Sequence, residues 1–211
     1  MFRLKKWYNI FIILSLSIIT ALLVYILYGD GKSGKVQLTQ EEREWLDTYD
    51  GRIRIGADFD YVPMDFINQW NEHDGIAEDY FRLIERKLNI RFKRLNTESW
   101  KELLETAKKG DIEIIKCIVK TPERSEYLQF TQPYLEIPAV IVSRNDVKSD
   151  SLTLKDLAGK KTAVNDGYFM NEIIRNRYPG ISIIPVKSNA ELFEVISTGS
   201  VDFIISDMPS I

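Results

Sequence analysis

Few side chains in this sequence could do chemistry. The 211-residue chain has one histidine, His73, and one cysteine, Cys117. That count excludes a zinc finger, a Cys-rich metal site and an internal disulfide. A Ser-His-Asp hydrolase would have to use His73, which sits in NEHDG, a turn-like polar string. Carboxylates are abundant, but none has a base, metal or nucleophile partner at a recognisable spacing. The pattern calls for no cofactor. Binding chemistry is better supplied. Arg124 lies in TPER, just after a strand-like run, and Thr121 is placed to cap a short helix there. Free backbone N–H groups at such a start attract an anion. A guanidinium holds a carboxylate through two parallel hydrogen bonds, which suits an amino acid or organic acid. The plain alternative is a surface arginine in a salt bridge. Asp58 and Tyr61 follow the run IRIGA, at the end of a strand where open α/β sheets place ligands. Their plain alternatives are a helix-start carboxylate and a ring at the core edge. Asp60 and Asp65 read as solvated loop charges.

These residues need a frame, and the sequence predicts an alternating α/β one. Thr39 and Glu42 in TQEEREWLDTY form a capping-box pattern for a short entry helix. IRIGA is a strand. IAEDYFRLIERKLN is a helix with Ile76, Tyr80, Ile84 and Leu88 on one face, ended by Asn89. IRFKRL is a strand. SWKELLETAKKG is a helix with Trp100, Leu103, Leu104 and Ala107 at core spacing, capped by Ser99 and stopped by Gly110. IEIIKCIV is an apolar strand over 112–119. This β-α-β-α-β order favours a mostly parallel sheet. After a polar break at 144–151, a second series follows: LKDLAG, the strand KKTAVN, the helix YFMNEIIRNRY, the strand ISIIPV, a helix capped by Ser188 and Glu191, and the strand VDFIIS. The chain ends soon after VDFIIS. A buried strand of this kind normally needs a following helix to cover it, so the sequence predicts a domain cut short at its C-terminus.

The head of the chain differs from its body. Residues 7–28 read WYNIFIILSLSIITALLVYILY, about 22 residues without a charge, long enough to cross a bilayer as a helix. Trp7, Tyr8, Tyr25 and Tyr28 lie near its ends, where such rings favour the interface. A cleaved signal peptide is the alternative, but the apolar run is long for one and no small-x-small site follows. Arg3, Lys5 and Lys6 precede the run, which predicts a cytoplasmic N-terminus and an extracytoplasmic body. With those three cations set aside, the chain's net charge of −3 becomes about −6 for the body, against a nucleic-acid partner. GDGKSGK after the span is a linker, because a P-loop needs a preceding buried strand. The expected organisation is a tip and anchor at 1–28, a linker and entry helix at 29–52, a first lobe at 53–137 and a second at 138–211, both lobes incomplete.

Several strings together carry a resemblance. IRIGADFDYVPMDF, DGIAEDYFRLIERKL, KTPERSEYLQFTQPYLEIPAVIV, LKDLAGKKTAV and STGSVDFIISD, in this order, resemble the family-3 extracellular solute-binding domain. That is the two-lobed α/β, type II periplasmic-binding or Venus flytrap fold. The likeness covers residues 39–211. Its flavour is similar to the sensor domains of membrane-anchored bacterial receptors, such as histidine kinases and diguanylate cyclases.

The resemblance implies roles. Arg124 would hold a ligand carboxylate, Asp58 and Asp207 would meet an amine, and the Tyr61 ring would stack on the ligand body. Trp100 would line the cleft, although its helical spacing makes it a core residue first. Cys117 and Val119 stand where amino-acid binders place hydroxyl donors, and Tyr168 and Phe169 stand near an expected Thr or Ser. These departures remove donors and add bulk, so the cleft can close without a ligand, or the two rings can simply pack between lobes. The implied partners are a small amino or organic acid, the membrane through the N-terminal helix, and a second copy through an output domain outside these residues. The leading expectation is an extracytoplasmic sensor without catalytic activity of its own. The alternatives are the binding component of an amino-acid ABC transporter and the regulatory module of a membrane-bound lytic transglycosylase.

Overall fold

The computed structural model describes residues 36–145, 147 and 151–210. The apolar run at 7–28 and the linker after it lie outside the described residues. Among the described residues, no helix is long and apolar enough to cross a membrane. Gln40–Ile211 form one compact unit, organised around two principal sheets.

The first lobe begins with α1 (Gln40–Tyr49) and β1 (Arg54–Gly56). Two short strands, β2 (Asp60–Tyr61) and β3 (Asp65–Ile67), and a third, β4 (His73–Asp74), form a small antiparallel sheet. Then come α2 (Ile76–Leu88), β5 (Lys93–Leu95), α3 (Trp100–Lys108) and β6 (Ile114–Ile115). The central sheet has the order β5-β1-β6, all parallel, as the β-α-β-α-β pattern requires. Ser99 caps α3 by accepting the Glu102 N–H at 3.1 Å. Helix α2 ends at Asn89 in the left-handed conformation. Leu103 packs so closely on β1 that a Cβ at Gly56 would lie 2.3 Å from its Cδ1. Only glycine permits that approach.

Residues 128–138 carry no regular element and lead into the second lobe. There β7 (Ala139–Ser143), β8 (Lys161–Asn165), β9 (Ser182–Val186) and β10 (Phe203–Asp207) order as β7-β10-β8-β9. Only β7 runs antiparallel to its neighbour. Helices α4 (Phe169–Arg177) and α5 (Asn189–Ser197) lie on opposite faces. The strand period of two decides which residue meets which helix. Val164, Phe203 and Ile205 pack with Met170 and Ile174 of α4, and Ala163 and Ile204 pack with Leu192 and Ile196 of α5.

Four expectations change. The strand VDFIIS does not wait for a later helix: as β10 it is central, with α4 and α5 on its two faces. The strand expected over 112–119 is two paired residues, because the chain then leaves the ladder to place Lys116 in a buried ion pair. Helix α2 buries Ala77 and Glu78, while Ile76 and Tyr80 are exposed. His73 does not sit in a turn. It is buried in β4 with its Nε2 3.2 Å from the Leu95 carbonyl, and burial lowers its pKa to about 4.

Candidate functional site

Residues that follow the C-terminal ends of β1, in the first lobe, and of the parallel neighbours β8 and β10, in the second, meet in the interlobe cleft. Asp58 follows β1 and is 2% exposed. Its Oδ1 accepts the Asp60 N–H at 3.2 Å. Its Oδ2 accepts the hydroxyl of Tyr168, from the other lobe, at 2.5 Å. Burial raises its pKa to about 6 against the pull of these hydrogen bonds. Tyr61 is buried on β2, and its hydroxyl meets the Asp207 carboxylate at the end of β10. Burial raises the pKa of both groups.

Tyr168 fills the space between these groups. Its ring meets the edge of Trp100 at 5.6 Å and that of Tyr61 at 6.3 Å. Trp100 opens α3, is buried, and donates its Nε1–H to the Gly167 carbonyl at 3.0 Å. Gly167 turns the chain from β8 into α4 with φ +74°, a left-handed turn that glycine adopts without strain. Its carbonyl also accepts Arg124 Nη2 at 3.0 Å.

Arg124 is 2% exposed, not a surface arginine. Its Nε donates to Glu172 of α4 at 2.9 Å, Nη1 to the Val119 carbonyl at 3.1 Å, and its guanidinium lies 5.4 Å over the Trp100 ring. Thr121 Oγ1 accepts the Arg124 N–H at 3.2 Å, but the expected helix is only the 3₁₀ turn Arg124–Glu126, whose N-cap is Glu123 rather than Thr121.

Six of the nine candidates therefore meet in one cluster: Asp58, Tyr61, Trp100, Arg124, Tyr168 and Asp207. Thr121 supports it from behind. Val119 contributes a carbonyl, while its side chain is 46% exposed. Cys117 is half-buried, and burial with the nearby Asp65 pushes its thiol up to about 12.

Two residues read as solvated are not. Asp65 is fully buried with Lys116 Nζ at 3.0 Å, and its Oδ2 accepts the Asp58 N–H at 3.2 Å. Asp60 Oδ2 accepts the Asn189 N–H at 2.9 Å, and its carbonyl accepts Asn189 Nδ2 at 2.9 Å, bridging the lobes. Glu172 and Asn189 escaped the sequence reading altogether. Glu172 stands four residues after Tyr168, in the first turn of the helix that Tyr168 precedes, a proximity visible in the sequence. Asn189 follows the predicted cap Ser188, and only the fold brings it to Asp60. Among the described residues, no group of three or more His, Cys, Asp or Glu is placed to hold a metal ion.

Solved structures share this two-lobed architecture. The B. pertussis BvgS periplasmic domain matches with a TM-score of 0.69 at 17% identity, over 82% of this chain and 33% of that one. Arginine-bound ArgBP from T. maritima (Gly52Ala mutant) matches with 0.67 at 24% identity, over 80% and 78%. Among curated proteins, the membrane-bound lytic murein transglycosylase F of Shewanella oneidensis is 26% identical over 197 residues, 91% of this chain. The chain spans 41% of that protein's length. The ABC transporter arginine-binding protein 1 of Escherichia coli is 26% identical over 158 residues, 74% of this chain and 63% of that protein. The profile of the bacterial extracellular solute-binding proteins, family 3, matches residues 53–176. More than half of the chain carries that match, and the chain belongs to this family.

Proposed function

We propose that the interlobe cleft binds a small amino acid or related carboxylate outside the cytoplasmic membrane, as the sensing part of a membrane-anchored receptor. The observation that carries the reading is a buried guanidinium, Arg124, over the Trp100 ring, in one aromatic-walled cluster where Tyr168 and Tyr61 meet the acids Asp58 and Asp207. An α-amino acid presents the complementary pair, a carboxylate for the arginine and an ammonium for the acids. Cys117 and Val119 offer no hydroxyl to the carboxylate, so Arg124 bears most of its recognition. The likeness to arginine-bound ArgBP and to the E. coli ABC transporter arginine-binding protein 1 supports this ligand class. The charge-free run at 7–28 and the likeness to the BvgS periplasmic domain support an anchored sensor. In a sensor, the solute acts by preferring one lobe arrangement over the other.

The test is isothermal titration of the full chain in detergent with a panel of amino acids. Arg124→Ala is expected to abolish binding. Unchanged affinity in that variant would remove Arg124 from the site. A second reading, the regulatory module of a lytic transglycosylase, is favoured by the match over 91% of the chain. The coding sequence downstream of Ile211 decides between them, by kinase or cyclase motifs on one side and a transglycosylase domain on the other.

A further inference from the structure

Two side chains at the start of α4 satisfy both poles of the cleft from within the protein. Tyr168 is the residue before α4, and Glu172 lies in its first turn. The Tyr168 hydroxyl donates to Asp58 at 2.5 Å, and the Glu172 carboxylate accepts Arg124 Nε at 2.9 Å. One gives a donor to the acid and the other an acid to the guanidinium, as a bound amino acid would. The Tyr168 ring stands against Trp100 and Tyr61 where a ligand body would stack. The void left beside Tyr168, Asn189 and Asp207 measures about 10 Å³, room for roughly one water. An amino acid does not fit in that void.

We propose that Tyr168 and Glu172 are an internal ligand that holds the solute-free cleft shut, so that an incoming solute must displace them. The energetics favour it. Arg124 is almost fully buried in the closed cleft, and a buried charge without a counter-charge is costly. Glu172 supplies that counter-charge. The Asp60–Asn189 hydrogen bonds add a second clasp but leave both poles untouched. The identity of the displacing molecule rests on the reading under Proposed function; the self-closure does not.

The experiment measures the distance between lobes without any solute. Spin labels are placed on Lys101→Cys of α3 and Glu194→Cys of α5, both exposed positions. Cys117, with its thiol pushed up to about 12, reacts slowly, and the chain without introduced cysteines serves as the blank. Pulsed EPR of the full chain in detergent is expected to give one short distance. Tyr168→Phe with Glu172→Gln is expected to add a longer distance and lower the closed-to-open ratio about tenfold or more. The Glu172→Gln single variant, of nearly the same shape, decides the matter if the double variant does not fold. An unchanged distribution in the folded variant overturns the proposal, and so does an already open distribution in the parent chain. Loss of binding in Arg124→Ala bears on the solute reading alone.

Discussion

Asp58 concentrates the chemistry of the cleft in one carboxyl. Around it stand Tyr168 just before α4, Tyr61 on β2, the carboxyls of Asp60, Asp65 and Asp207, and Lys116 beyond Asp65. Its pKa is about 6 in the closed cleft, against an ordinary value of about 4 in water. Closing over Asp58 therefore takes up a proton between those values. The contribution to the closed, folded state is complete below about pH 4 and is lost as pH rises through about 6. An ammonium ligand wants the ionised carboxylate, so both effects act against binding in acid. Titration of an amino acid at pH 5 is expected to give an affinity lower by roughly tenfold than at pH 7.5, and Asp58→Asn to remove most of that difference. A pH-independent affinity in the parent chain would take Asp58 out of ligand recognition. At this scale the sequence was informative where a residue's role depends on local position. Asp58 after a strand and Thr121 before Arg124 are of that kind. It misled where the partner is remote: Asp65 looks like a loop acid until the fold brings Lys116 to it.

Elements were legible when their own caps and period defined them. Helix α3 with its Ser99 cap, α5 with Ser188 accepting the Glu191 N–H at 3.2 Å, and the strands of the second lobe are read directly from the sequence. The sheet β2-β3-β4 was not, because strands of two or three residues have no readable period. Helix α2 shows why an apolar face can be misassigned. Its buried side carries Glu78, whose carboxylate holds Lys116 at 2.8 Å and Arg94 at 2.6 Å. Arg94 in turn reaches Glu85 at 2.9 Å. Charged residues thus do the packing that Ile76 and Tyr80 were expected to do. Lys116 lies between Asp65 and Glu78, both buried. Lys116→Met would leave these two acids without their shared cation, and a loss of about 3–5 kcal/mol is expected in urea unfolding. The exposed pair Lys108–Glu105, 3.2 Å apart, is the contrast, and Glu105→Ala is expected to cost less than about 1 kcal/mol. Equal costs in the two variants would mean that the buried network is not structural.

For the whole molecule, the consequence of self-closure is an affinity penalty that can be measured. If solute enters only the open arrangement, its apparent dissociation constant is the intrinsic one divided by the open fraction. A cleft shut by Tyr168 and Glu172 keeps that fraction small. Glu172→Gln weakens the closed state without touching Asp58, Asp207 or Tyr61, and it frees the Arg124 guanidinium for a ligand carboxylate. The two-lobed architecture was legible from the order of strings along the chain; this competition was not, because it depends on residues from both lobes meeting at 2.5–3.0 Å. Glu172→Gln is therefore expected to bind amino acid about tenfold more tightly than the parent chain, while Arg124→Ala with Glu172→Gln binds none. A carboxylate that contacts the solute directly would give the opposite sign, a weaker complex in Glu172→Gln. Calorimetry on the three chains separates the cases, because only an internal competitor yields tighter binding when it is removed and no binding when the arginine it competes for is also gone.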